Sequence, residues 1–154
     1  MLDDQLTAAA FSGVTPGADV GAVQTSGTAT YSGDYELEIV DAVFVLENEI
    51  SARLAPAEGT LSLNADFGAG TLTGGGSGGG FGAVATTLDV NGTISGRDIS
   101  GTVDITHTEL LLGVGTDELS GPLTGLIGED AAIGAFHASD SNTAAAGGFV
   151  ATAD

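Results

Sequence analysis

From Gly27 onward the chain alternates apolar and polar side chains with a period of two, the pattern of half-buried β-strands. Tyr35-Glu36-Leu37-Glu38-Ile39 shows it most cleanly. Tyr35, Leu37 and Ile39 are expected on a core face, with Glu36 and Glu38 in water. The stretches Thr60–Phe67 and Ile99–Thr106 repeat the alternation and Phe81–Val90 gives a further strand, while Ala42-Val-Phe-Val-Leu46 is apolar at every position and predicts a strand covered on both sides, its β-branched content disfavouring the alternative of a helix. Between these runs, Gly33-Asp34, Gly68-Ala-Gly70 and Gly96-Arg97-Asp98 read as turns, and Asn91-Gly92 as a type I′ hairpin. Ala55-Pro56-Ala-Glu-Gly59 reads as a strand end, and Pro122 as a strand start or edge position. The run Gly74–Gly80 (GGGSGGG) reads as a flexible loop, because a phosphate cradle would need a following Lys-Ser/Thr and none is there.

The thirty residues Leu123–Thr152, near the C-terminus, hold two overlapping copies of one unit: an apolar strand, a small or polar loop, and a glycine-led return strand carrying Phe136 or Phe149. They predict consecutive hairpins sharing the strand around Ile133–Ala138, in which a glycine lets a ring or a neighbouring strand approach the backbone. Seven to nine antiparallel strands joined by short turns favour closure, which removes sheet edges. The expected fold is all-β: a single antiparallel β-barrel of about eight strands over 27–154, preceded by an irregular N-terminal arm over 1–26. That arm is expected either to lie across the barrel or onto a partner, or to be a plain N-terminal tail.

Composition narrows the functions. Twenty-one acidic residues face only two cations, Arg53 and Arg97, and the formal charge is −19. Nucleic acid and anionic membrane surfaces are poor partners for such a chain. There is no cysteine, hence no disulfide, thiolate metal site or lipidated cysteine. The opening MLDDQLTAAAF lacks a positive n-region and a long apolar core, so neither a secretory signal nor membrane insertion is expected of this chain.

Candidate chemistry is sparse. His107 and His137 are the two near-neutral bases. His137-Ala-Ser139-Asp140 has the residue types of a triad but lies too close in sequence on one hairpin for an oriented relay. The carboxylate pairs Glu47/Glu49, Asp117/Glu118 and Glu129/Asp130 would serve glycoside chemistry only across a cleft. No catalytic, cofactor or resident metal site is expected; calcium at Asp140, Asn142 and nearby carbonyls is the one weak metal candidate. Apolar contact candidates are Leu110, Leu111 and Leu112, which form either a packed strand or an exposed triplet. Leu2, Leu6 and Phe11 of the arm join them.

Several segments look familiar together: Gly27-Thr-Ala-Thr-Tyr31-Ser-Gly33, Ala65-Asp-Phe67-Gly-Ala-Gly70-Thr-Leu72-Thr-Gly74, Asn91-Gly-Thr-Ile94-Ser-Gly96, Ile99-Ser-Gly101-Thr, and the closing Gly134-Ala-Phe136 to Gly147-Gly148-Phe149. Across roughly 27–152 they resemble the β-barrel domain of the transferrin-binding protein B family, to which factor H binding protein-type barrels are related. The chain departs from the family at Phe136-His137-Ala138, where the family carries Phe-Tyr-Gly, and in lacking a lipidated cysteine. The resemblance implies a small barrel that presents loops to another protein, without implying transferrin as the ligand.

These features give two expectations of function. The first is a non-enzymatic structural or interaction barrel on a virion or similar assembly, such as a capsid-decoration protein, with a protein partner inside that assembly. The second is a bacterial surface or secreted barrel that binds a host protein or a small solute. A container of the lipocalin kind would further require a hollow interior.

Overall fold

The computed structural model describes residues 20–46, 49–80, 84–109, 115–141 and 143–154, with backbone alone at 41–46, 49–55, 84 and 109. Eight antiparallel strands follow one another: β1 (Thr28–Leu46), β2 (Glu49–Asp66), β3 (Thr71–Gly80), β4 (Val84–Ser95), β5 (Asp98–Glu109), β6 (Gly115–Ile127), β7 (Ala131–Ser139) and β8 (Thr143–Ala153). Each pairs with its neighbour in sequence, and β8 returns to β1 with Asp34 opposite Val150, closing the barrel. The overlapping hairpins expected at the C-terminus are β6–β7 and β7–β8, which share β7.

Alternation sorts the side chains as the sequence predicts. Tyr35, Leu37 and Ile39 point inward and are buried, Glu36 is exposed and Glu38 half-buried. The interior is filled by Tyr31, Tyr35, Leu63, Leu72, Leu88, Phe136 and Phe149 among others, as in small barrels whose side chains meet across the axis. Outward positions on β4 and β5 carry Thr87, Asp89, Asn91, Thr93, Ser100, Thr102 and Asp104, all exposed. This is the reverse of a membrane-spanning barrel, whose outer band is apolar.

Three expected interruptions are instead strand. Gly33-Asp34 lies inside β1, where a Cβ on Gly33 would meet the Val150 carbonyl of β8. Asn91-Gly92 lies inside β4, opposite Thr102 and Gly101, and the hairpin turns four residues later at Gly96-Arg97, where Gly96 takes φ 64°. Pro56 continues β2 one residue past the end of the β3 pairing at Ala57–Gly80, so its missing N–H breaks no ladder bond to β3. Pro122 sits within β6, and the β6–β7 ladder lapses there, between Ser120 and Leu123.

The glycine run is also a strand. Gly74–Gly80 pairs on one side with Ala57–Leu63 and on the other with Val84–Val90. Its glycines are required by close approach. A Cβ on Gly78 would strike the Glu58 carbonyl, and one on Gly76 would sit 2.5 Å from the Thr60 carbonyl and 3.1 Å from the Tyr35 ring. The ring of Tyr35 lies over Gly76, and its hydroxyl over Gly59 of β2, in the space those absent side chains leave.

Candidate functional site

The two ends of the barrel differ. The lower end carries the turns at Phe67–Gly70, Gly96-Arg97 and Gly128–Asp130, together with the start of β1 and the end of β8. Residues Val20–Gly27 cross it. Val20 O accepts Asp130 N at 2.9 Å and Ala131 N at 3.2 Å, and Ala22 O accepts Glu129 N at 2.9 Å. Gly27 O accepts Phe67 N at 2.9 Å, so the segment spans from the β6–β7 turn to the β2–β3 turn. Arg97 Nη2 donates to Gly21 O at 3.0 Å, and Tyr31 Oη, from inside, to Gly128 O at 2.6 Å. Part of the expected arm is thus fastened to the lower rim; residues 1–19, with Leu2, Leu6 and Phe11, lie outside the described residues.

At the upper end the hairpins stand to unequal heights. The β1–β8 pairing stops at Asp41–Thr143 and the β2–β3 pairing at Ala57–Gly80, yet β1 and β2 stay paired to Leu46–Glu49. A two-stranded ribbon therefore rises above the barrel, and among the described residues neither of its edges has a further strand beside it. The β5–β6 hairpin also climbs, to Glu109–Gly115, while β7 meets β6 no higher than Ser120–Ser139. Leu110, Leu111 and Leu112 fall outside the described residues.

The expected chemical groups separate. His137 and Ser139 project from the outer face of β7 and are exposed, whereas His107 is buried inside β5. Asp140 closes the β7–β8 turn: its Oδ1 accepts Thr143 N at 2.7 Å and its own N–H donates to Thr143 O at 2.9 Å. The weak calcium candidate is therefore a hydrogen-bonded turn, with Asn142 outside the described residues. Among the described residues no three His, Asp or Glu side chains gather around a common point. Asp117 and Glu118 point to opposite faces, Glu129 and Asp130 are both exposed at a turn, and the side chains of Glu47 and Glu49 are outside the described set.

The sequence reading did not anticipate one polar layer inside the barrel. Register places Tyr35, Gly59, Gly78, Thr86, His107 and Asp117 in one row across β1 to β6. The two glycines leave the row open, and Tyr35 reaches across it to place Oη 3.4 Å from the Thr86 carbonyl, a long hydrogen bond. Thr86 Oγ1 and His107 Nδ1 are buried without a hydrogen-bond partner.

Burial raises the pKa of both inner phenols above the ordinary 10.0, and the Asp130 carboxylate adds to the effect at Tyr31. Each folded phenol keeps its proton to higher pH than an unfolded one. Above pH 10 the unfolded chain therefore holds fewer protons, and stability falls as pH rises further; below that value the contribution is fully present. In an alkaline titration followed by difference absorbance, tyrosinate should rise only together with loss of the β circular-dichroism signal. Two phenols titrating at the ordinary value in an intact barrel would contradict their burial.

The geometry defines a class: a closed antiparallel barrel with a filled core, a fastened lower end and raised hairpins above. Within that class the fold is that of the transferrin-binding protein B barrel. The chain is similar to intact Ap-TbpB, a protein with N and C lobes, at 19% identity and a TM-score of 0.52, covering 84% of this chain and 27% of that one. It is similar to the isotype 1 transferrin-binding protein B of serogroup B Neisseria meningitidis at 17% identity and the same TM-score of 0.52, covering 91% of this chain and 27% of that one. At such identities the likeness is one of fold, and this chain spans about a quarter of either structure. No protein-family model and no curated protein matches the sequence.

Proposed function

We propose that this protein is a non-enzymatic interaction barrel at an extracellular bacterial surface, and that it engages a protein partner through its upper rim. The observation that carries the reading is the β1–β2 ribbon, which continues from Asp41 to Leu46 and from Glu49 to Pro56 after β8 and β3 have ended. Such edges accept an extended segment by main-chain hydrogen bonds. The acidic exterior speeds encounter with a basic partner surface and disfavours an acidic one. The structural neighbours are named as binding proteins, which supports this reading over attachment to a virion; nothing in the fold favours a capsid. Their ligand, transferrin, is not carried over to this chain.

The test places a photo-crosslinking residue at Ser51 on the ribbon or at Asp98 on the lower turn, in the intact protein on its producing cells. A discrete adduct from Ser51 alone is expected. It should be competed away by an excess of the unlabelled full-length protein, and not by an excess of a variant in which residues 42–53 are replaced by a two-residue turn. An adduct from Asp98 alone, or from neither site, overturns the proposal, and an adduct to a shell-forming particle protein restores the assembly reading.

A further inference from the structure

The two edges of the upper ribbon are not equivalent. In a strand the N–H and C=O of one residue point to the same side, and successive residues alternate sides. On β2 the sides are fixed by contact: a Cβ on Gly80 or Gly78 of β3 would meet the carbonyl of Pro56 or Glu58, respectively. Even-numbered residues of β2 therefore turn their main chain toward β3, and odd-numbered ones toward β1. Above Ala57–Gly80, where the β3 pairing ends, the even-numbered Leu54, Ala52 and Ile50 continue β2 with the same side turned outward. Among the described residues no strand lies beside them there.

β1 offers no such template. Its main chain runs regularly against β2 as far as Val43–Ser51, after which the register shifts and resumes at Val45–Ile50. The extra residue belongs to β1, and a bulge of this kind interrupts the row of edge groups and twists the edge away. β2 passes the same level without an insertion. Pro56 marks the foot of the β2 edge. It also shows that a proline at an even-numbered position leaves the β1–β2 ladder whole, since the pairing continues from Glu38–Pro56 through Val40–Leu54.

Charge narrows what settles on this edge. The ribbon, residues 41–56, holds Asp41, Glu47 and Glu49 against Arg53, on a chain of formal charge −19. A second copy is repelled, and an incoming segment with cations is drawn in. We propose that the partner adds one strand to the β2 edge at Ile50, Ala52 and Leu54, and that this strand is an extended segment carrying Lys or Arg beside its β-forming residues. This assignment rests on the ribbon being the element that meets the partner; it adds which side is used and by what chemistry.

Ala42 and Ala52 stand directly opposite one another, and each turns its main chain away from the ribbon: Ala52 to the β3 side, and Ala42 to the β8 side, as Glu36 does lower on β1. The same substitution at the two positions therefore separates the edges. Crosslinking from Ser51 in the intact protein on its producing cells supplies the readout, with unlabelled full-length Ala42→Pro and Ala52→Pro as competitors. Both variants should melt with the parent. Ala42→Pro should displace the adduct as the parent does, whereas Ala52→Pro should need about tenfold or more greater excess, having lost an edge donor. Should Ala52→Pro melt lower than the parent, Ile50→Pro removes the next edge N–H toward the tip and should show the same deficit. Equal competition by the two variants, or a deficit confined to Ala42→Pro, overturns the choice of edge while leaving the ribbon as the binding element. No adduct from the parent overturns both. An adduct of twice the chain's mass, or one joined to a segment without Lys or Arg, overturns the occupant.

Discussion

Gly134→Ala is expected to lower the melting temperature by about 5–10 °C. The missing Cβ of Gly134 is where the Phe149 ring lies: an added carbon would meet its Cε1 and sit 2.5 Å from its Cζ and 3.1 Å from Leu123 Cδ1. All three residues are buried, so the ring has no solvent to swing into. Overpacking of this kind costs about 2–3 kcal/mol, and each kcal/mol moves the melting temperature of a chain this size by about 2–4 °C. Phe149→Leu in the Gly134→Ala background should recover part of the loss, so that the two changes together cost less than their sum. Thermal melts followed by circular dichroism measure all three variants. A Gly134→Ala melt superimposable on the parent would mean that the ring does not fill that space.

In β3, Gly78→Val and Gly76→Val are each expected to cost about 3 kcal/mol or more, while Ser77→Val between them stays within about 0.5 kcal/mol. A side chain on Gly78 runs into the Glu58 carbonyl, and one on Gly76 into the Thr60 carbonyl, backbone that cannot step aside. Ser77 is exposed and paired with Thr60 and Thr87, on the outer face where a β-branched residue suits a strand. Urea midpoints at constant slope give the comparison. Three equally harmless substitutions would return this run to the status of a loose connector.

The contrast within β3 shows where sequence patterning reaches its limit. Period-two alternation located the inward faces of β1, β2 and β5, and the paired glycine–phenylalanine units located β6 to β8. The turns at Gly68–Gly70 and Gly96-Arg97 were also legible. What failed was the assumption that glycine, proline and Asn-Gly mark chain reversals. At Gly33, Gly76 and Gly78 the glycine is needed because a neighbouring backbone lies where a Cβ would go. That demand comes from wall curvature and register, not from local conformation. The same error hid the inner polar row. With the hairpin placed at Asn91-Gly92, Thr86 and His107 are not opposite one another, whereas the turn at Gly96-Arg97 aligns them directly. The carboxylates and histidines singled out from sequence scatter for a related reason, since residues adjacent on a strand face opposite sides. Leu2, Leu6, Phe11 and Leu110 to Leu112 lie outside the described residues, so the structure neither gathers nor separates them.

Because β8 is laced to β1 over Tyr31–Asp41, the wall owes none of its closure to the connections between strands at the upper rim. Lengthening such a connection adds only the entropy of a larger ring, about 0.6 kcal/mol for each doubling. Foreign peptides inserted between β3 and β4 or between β5 and β6 are therefore expected to cost little stability. A small acidic cylinder of this kind would serve as a carrier for inserted epitopes as readily as for its own.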